Sequence, residues 1–292
     1  MDGITKIITH PGPAHYDDLV AVALLAFHYG PHIRVERRDP THEELDNPSV
    51  FVVDVGGRLG PELRNFDHHH NLELPCAAHQ VAEWLASKFP EVWEKAVKGL
   101  RKLTWWQFMD DMDRRGPFQT AKKYGYDPSL TGPMGPLGGP LSTFAVRYFQ
   151  ENPWATEFLF ALGDEIHNLG LEMEEGLQRL KETTDAIDLD GRLVLLNEEE
   201  GISGAPGEAL AAEVVETLSK EGYTPKVAVT VTPDNRGPGW MLFRWKDHPD
   251  VDFTRIEGDP RVLFAHKGGF IAKTYERIPV SEVLGLIKAS TS

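Results

Sequence analysis

Ile4-Thr5-Lys6-Ile7-Ile8-Thr9 runs directly into His10-Pro11-Gly12-Pro13-Ala14-His15-Tyr16-Asp17-Asp18, and from Leu19 to Phe27 nearly every position is apolar. The first six residues read as a buried strand. The Pro-Gly-Pro that follows forces a loop, and the apolar stretch predicts a helix over Asp18 to Tyr29 with Asp17 or Asp18 as its N-cap. A strand passing through a loop into a helix buried all round opens an α/β unit. In such folds ligands bind beyond the carboxyl ends of the strands.

The rest of the chain extends this reading. His32 to Arg37 alternates like a strand, and Ser49 to Val55 is a short apolar run of the kind found in central parallel strands. Helices are expected at about Ala77 to Lys88, Glu91 to Leu103 and Thr104 to Met112. Asp127 to Pro140 is broken by proline and glycine and reads as a loop over the first domain. Helices follow at Leu141 to Gln150 and Trp154 to Ile187. Asp188-Leu189-Asp190-Gly191 marks a turn and the domain boundary. Beyond it we expect a strand at Arg192 to Asn197, a helix at Glu208 to Glu221, strands at Lys226 to Thr232, Gly239 to Trp245 and Arg261 to Ala265, and a last helix from Pro279 to Lys288. The expected fold is therefore α/β: a mostly parallel sheet flanked by helices over residues 1–187, and a second, smaller α/β domain over 188–292.

Four segments hold the residues suited to chemistry. His10 to Asp18 packs two imidazoles and two carboxylates into a strand-to-helix loop. Asp54 ends the run Phe51-Val52-Val53, where one carboxylate can bridge two cations. Asp67-His68-His69-His70 sets an acid beside three imidazoles; one ring can bind metal, a second can touch a substrate oxygen, and Asp67 can orient a ring. In Asp110-Asp111-Met112-Asp113, helical spacing puts Asp110 and Asp113 on one face. His10, His15, Asp17, Asp54, His68 and Asp113 together supply about the ligands that two divalent cations need. Without cations, each like-charge contact near 4 Å would cost roughly 4 kcal/mol at an effective dielectric near 20. Two cations at such a site support in-line displacement at phosphorus by a metal-activated water, which points to phosphoester or phosphoanhydride hydrolysis.

Composition narrows the partners. With 45 acidic against 30 basic residues the net charge is -15, which disfavours long duplex nucleic acid and anionic membranes and favours a small phosphate ester or a short single-stranded oligonucleotide. The single cysteine, Cys76, excludes an internal disulfide, and no apolar run approaches a membrane span, so a cytoplasmic setting is expected. The apolar stretch around Leu159 to Leu162 leaves room for a homodimer.

These segments resemble the DHH phosphoesterase superfamily and, within it, the MYG-type (UPF0160-like) proteins. Their opening motif, His-Asn-Gly-Thr-Phe-His-x-Asp-Glu, is similar to His10 through Asp18. Val52-Val53-Asp54-Val55-Gly56-Gly57 and its spacing to Asp67-His68-His69 also match. Asp110 to Gly116 looks like the family's Asp-x-x-Asp-Asn-Gly, and Phe264-Ala265-His266-Lys267-Gly268-Gly269-Phe270-Ile271 looks like its late His-x-x-Gly-Phe-Ile. The likeness is strong to about residue 115 and thin between 120 and 255. It implies a dinuclear, manganese-type centre in the first domain, with Co2+, Fe2+ or Zn2+ also suited to the donors, and a second domain that closes over substrate. By the same analogy His10, His15 and Asp54 hold one cation, and Asp17, Asp54, His68 and Asp113 the other, while His69 meets the scissile phosphate with Asp67 beside it. Members cleave RNA, single-stranded DNA, oligonucleotides, cyclic dinucleotides or pyrophosphate, and MYG-type members are linked to 3′ to 5′ exonuclease activity. His70, His79, Arg244, His266, Gly268, Gly269 and Lys273 are the candidate substrate contacts. Two departures stand out: Ala272-Lys273-Thr274 replaces the family's Gly-Gly-x-Lys-Thr, and Arg114-Arg115-Gly116 replaces Asn-Gly. The alternative function is a metal-retaining nucleotide-binding or regulatory protein without turnover.

Overall fold

Eight of the ten residues from Asp17 to Ala26 are aliphatic, and all ten are buried, so the helix that carries them has to lie between other elements. The computed structural model describes residues 3–127, 140–220, 222 and 226–291. It divides into two compact units, residues 1–174 and 175–292. The division falls inside a helix, ahead of the turn at Asp188.

Unit 1 begins with β1 (Lys6–Thr9), α1 (Tyr16–Tyr29), β2 (Arg34–Arg37), the one-turn α2 (His42–Leu45) and β3 (Val50–Val53). The two-residue strands β4 (Leu59–Gly60) and β5 (Asn65–Phe66) follow, then α3 (Ala77–Lys88), α4 (Pro90–Leu100), α5 (Thr104–Tyr124), α6 (Pro140–Glu151) and α7 (Thr156–Thr183). The sheet order is β2-β1-β3-β5-β4, parallel except where β4 meets β5. Every residue of β3 is buried, as a strand covered on both faces requires. One face is covered by α1 and α3: Phe51 packs against Tyr29 at 5.3 Å and Trp84 at 5.3 Å. On the other face Ile8, Val50 and Val52 meet Leu45 and Val55.

Helix α1 is N-capped by His15, two or three residues earlier than Asp17 or Asp18, because Asp18 turns back to accept the His15 N–H at 3.0 Å. Helix α5 runs past Met112 to Tyr124 through a break at Gly116 (φ 74°) and Pro117. The proline-rich stretch read as a loop lies, apart from its ends, outside the described residues. Leu159 is buried and Phe160 packs on Phe27 at 5.5 Å, so part of the stretch considered for a dimer is engaged within unit 1.

Unit 2 holds β6 (Thr184–Leu189), β7 (Arg192–Asn197), α8 (Gly204–Lys220), β8 (Lys226–Pro233), β9 (Trp240–Arg244), β10 (Val262–Ala265), β11 (Ile271–Thr274) and α9 (Val280–Ala289). Its sheet has the order β10-β11-β9-β8-β7-β6 and, with its helices, is the second α/β domain expected, whereas the mostly parallel sheet expected for the first domain is that of unit 1. Only β7 and β8 run parallel, joined by the long α8 crossover; β6–β7, β8–β9 and β10–β11 are antiparallel pairs on short connections, and β11 returns antiparallel against β9. Residues Thr184 to Ile187, expected as helix, form β6. Asp190 and Gly191 both take positive φ, the two-residue hairpin turn that folds β6 onto β7 and overrides local helical spacing. Val194, Leu196, Val229, Val231, Leu242 and Ala272 form the core with Val283, Leu286 and Ile287 of α9. Among the described residues, no helix is long and apolar enough to cross a membrane.

Glycines set the helix spacing of unit 1. A Cβ at Gly163 would lie 2.1 Å from the Ala23 carbonyl oxygen of α1, and one at Gly170 would lie 2.3 Å from that of Ala96 in α4. Because the obstacles are backbone, the helices would have to part. We expect Gly163→Ala to lower unfolding free energy by about 2–3 kcal/mol in urea denaturation.

Candidate metal centre

Three parallel strands end level with one another. Thr9 pairs with Val53, and Val53 with Phe66, so the next residues, His10, Asp54 and Asp67, leave the sheet at one edge. Asp54 takes a left-handed conformation, φ 57°, that asparagine and aspartate tolerate better than other side chains, and its N–H is tied to the Phe66 carbonyl at 2.8 Å. Gly56, at φ 95°, leaves no room for a side chain: a Cβ would meet Leu45 at 2.8 Å. Gly57 has open space around it but also takes positive φ, 65°, so Gly56 and Gly57 together supply the left-handed backbone of the turn that follows Asp54.

Around Asp54 the distant segments converge. Its Oδ2 lies 3.5 Å from His10 Nε2, and its Oδ1 lies 3.3 Å from His68 Nε2. His68 Nε2 is also 2.8 Å from Asp113 Oδ2 and 3.9 Å from Asp17 Oδ2, while His15 Nδ1 is 3.9 Å from Asp113 Oδ1. Three sets of donor atoms, each within 4.8 Å, could hold a cation: His10, His15 and Asp54; His15, Asp17 and Asp113; Asp54, His68 and His69. All six residues proposed as ligands from the sequence therefore meet in unit 1.

Whether this set suits cations is decided by its unmet polar atoms. Both oxygens of Asp17 and Asp54, both ring nitrogens of His68, His10 Nε2 and Asp113 Oδ2 are buried with no hydrogen bond of acceptable geometry. Each such atom costs about 1–3 kcal/mol unless something partners it, and acids this close also repel one another. Protons can relieve the charge. Burial, reinforced by Asp54 and Asp113, holds the Asp17 carboxyl well above the carboxylate range, and burial raises Asp54 as well. Burial alone would lower His68, but Asp113 and Asp54 outweigh it and lift the imidazole to about 10. Divalent cations would meet the same unmet atoms, and the mixed nitrogen and oxygen donors suit manganese, cobalt, iron or zinc.

Asp67 stands behind the centre. Its Oδ2 accepts the Gly57 N–H at 2.6 Å, and its Oδ1 accepts the His69 N–H at 2.9 Å and lies 2.7 Å from His69 Nδ1. Burial works to raise this acid, but those backbone donors and the imidazole hold it below the usual range. A carboxylate accepts, so Nδ1 carries the proton and His69 Nε2 is free to act; 57% of the His69 side chain is exposed. His70 is exposed.

Other candidates have separate engagements. His79 donates from Nε2 to the Trp106 carbonyl at 3.1 Å and stacks on that indole at 4.5 Å. It gathers with Cys76 and Asp110, where Asp110 is bound by the Arg114 guanidinium and by Cys76 N at 2.8 Å. Burial pushes the Cys76 thiol well up. Arg114 also donates to the Leu72 carbonyl, and Arg115 pairs with Asp111, so both arginines are spent on internal ion pairs. Within unit 2, Arg244 donates to Asp247 at 2.8 Å, and Lys273 to Asp234 at 2.6 Å. His266 Nδ1 accepts the Gly268 N–H at 2.9 Å. Gly269, φ 67°, sits where a Cβ would lie 2.2 Å from Asp252 Oδ1. Sequence reasoning missed Arg37, which donates to Asp18 Oδ2 at 2.7 Å, and read Asp18 as a cap and as one of the two carboxylates of its segment without assigning it a place among the ligands.

Because His68, lifted to about 10, holds a proton that a cation must displace, metal binding should release about one proton near neutrality and tighten as pH rises from about 6 to about 8. Calorimetry of Mn2+ binding in buffers of different ionisation enthalpy reads both effects. Constant affinity across that range would contradict the protonated, metal-free centre.

Residues 6–82 match the family described as MYG1_exonuc, an uncharacterised protein family (UPF0160). No curated protein matches the chain. Among solved structures, RecJ with Mn2+ from Thermus thermophilus is 14% identical, with 97% of this chain and 52% of RecJ covered and a TM-score of 0.28. CDC45 from Entamoeba histolytica is 10% identical over 99% and 96% of the two chains, at a TM-score of 0.28. A putative family II inorganic pyrophosphatase from Methanococcus jannaschii is 13% identical over 98% and 99%, at 0.22. The chain spans about half the length of the RecJ structures it matches. The segment that resembles the UPF0160 family runs from β1 through the Asp67-His68-His69 triplet into α3.

Proposed function

We propose that the protein is a metal-dependent phosphoesterase that hydrolyses a phosphodiester of a small nucleotide or short single-stranded oligonucleotide, in the manner of a 3′ to 5′ exonuclease. The observation that carries this reading is the set of buried, unbonded carboxylate and imidazole atoms around Asp54. His10, His15 and Asp54 would hold one cation, and Asp17, Asp54, His68 and Asp113 a second, with Mn2+ best suited. Bound there, such cations activate a water and polarise the phosphoryl oxygens.

The chain's own groups do the rest. His69, with its Nδ1–H fixed on Asp67, presents Nε2 to the scissile phosphate, where the neutral ring takes a proton from the attacking water and, once charged, returns it to the leaving oxygen. Asp54, held by its left-handed backbone, keeps one oxygen toward each histidine-bearing side of the centre. The name of the matched family agrees with an exonuclease. The net charge of -15 favours short substrates over long duplexes and membrane surfaces, in a cytoplasmic setting.

A panel of dinucleotides, cyclic dinucleotides, short RNA, a chromogenic phosphodiester and pyrophosphate, each with Mn2+, tests the reading. Short phosphodiesters should turn over fastest, and excess chelator should abolish the activity. Asp54→Ala should remove turnover, and His69→Asn should lower kcat by roughly 10²–10⁴-fold with little change in Mn2+ affinity. Nucleotide binding without turnover would establish the regulatory alternative instead, and faster pyrophosphate cleavage would overturn the choice of substrate.

A further inference from the structure

The loop from Pro11 to Ala14 joins the two histidines on one side of Asp54, and side chains from elsewhere hold its polar backbone groups. Arg37 Nη2 donates to the Gly12 carbonyl at 3.1 Å, and Gln150 Oε1 accepts the Ala14 N–H at 3.0 Å. Asp18 completes the arrangement. Its Oδ1 accepts the His15 N–H at 3.0 Å, while its Oδ2 accepts from Arg37 Nη1 at 2.7 Å and lies 3.2 Å from His10 Nε2. Asp18 is fully buried, the Arg37 side chain is 7% exposed, and its guanidinium sits 4.9 Å from the centre of the Phe149 ring.

The same contacts fix the state of the His10 ring. A carbonyl only accepts, so the 2.7 Å contact of His10 Nδ1 with the Pro11 oxygen puts a proton on Nδ1 and turns Nε2 toward the Asp18 and Asp54 carboxylates, 3.2 and 3.5 Å away. One guanidinium fork thus fastens the loop backbone and the carboxylate that touches both histidines, a task that needs two donors fixed in a plane. Among the described residues, Asp18 belongs to none of the donor sets able to hold a cation.

We propose that Arg37 and Asp18 are a positioning pair that sets His10 and His15 for the cation on their side of Asp54 and does not act on the His68 and Asp113 side. This inference rests on the metal-centre reading above. It predicts that the pair can be removed at the expense of one cation while the other stays.

The test is Mn2+ titration by calorimetry, with electron paramagnetic resonance counting bound ions, on wild-type protein, Arg37→Met, Arg37→Lys and the double variant Arg37→Met/Asp18→Asn. The double variant removes both charges, so it leaves no buried charge unpaired if the single variant fails to fold. We expect wild-type protein to bind two ions. In the double variant one site should weaken by roughly 10–100-fold, while the other stays within about threefold of wild type. Arg37→Lys, which keeps the charge but cannot span both acceptors, should fall between the two. Asp113→Asn should weaken the opposite site. Two unaltered sites in the double variant would overturn the proposal. So would loss of both sites or of the fold, since either makes Arg37 a general support. Wild-type protein that binds no Mn2+ would remove the proposed function itself, an outcome distinct from each of these.

Discussion

The structure depends on the level, same-direction pairing of β1, β3 and β5. Parallel strands in register deliver whatever follows them to one edge, and here Thr9, Val53 and Phe66 are followed by His10, Asp54 and Asp67. A slip of one residue in any strand would turn the next side chain to the opposite face. The continuous burial of β3 and the aromatic packing of Phe51 and Phe66 against Trp84 hold that register. Helix α1 returns His15 and Asp17 to the same edge, and α5 delivers Asp113.

Gathering acids this way opposes folding. Asp17 and Asp54 are buried together with Asp113 nearby, and burial and mutual repulsion push both acids toward their protonated forms while His68 is held charged beside them. The site is thus a stored electrostatic conflict with two resolutions, a protonated one and a cationic one. Regions of this kind trade stability for function and persist only where the surrounding structure over-determines them. The glycine contacts of α7 on α1 and α4 allow backbones to approach at distances where no side chain fits, and so fix the helix that carries Asp17.

Much of this was legible in the sequence because it is local. The apolar run ending in Asp54, the glycines required by its turn, and the Asp67-His68-His69 triplet announce strand ends and donors through residue type and spacing alone. The pairing of Arg37 with Asp18 was not legible: it joins a strand end to a helix start, and nothing in either segment marks the other. The ion pairs of Arg114 with Asp110 and Arg115 with Asp111 were not legible either, since exposed and ion-paired arginines read alike in one dimension. In unit 2 the strand at Thr184 to Ile187 was read as helix because its pairing with β7 outweighs the spacing that continues from α7. Its mixed sheet follows from connection lengths that become meaningful only once each strand end is known.

Cys76 lies wholly buried beside His79 and Asp110, and burial keeps its thiol protonated. As the chain's sole sulfhydryl it should be silent toward alkylating dyes and spin labels in the folded state. A cysteine introduced at one surface position would then be labelled against a dark background. Two such positions, one per unit, would turn the native chain into a distance ruler without first deleting a natural thiol.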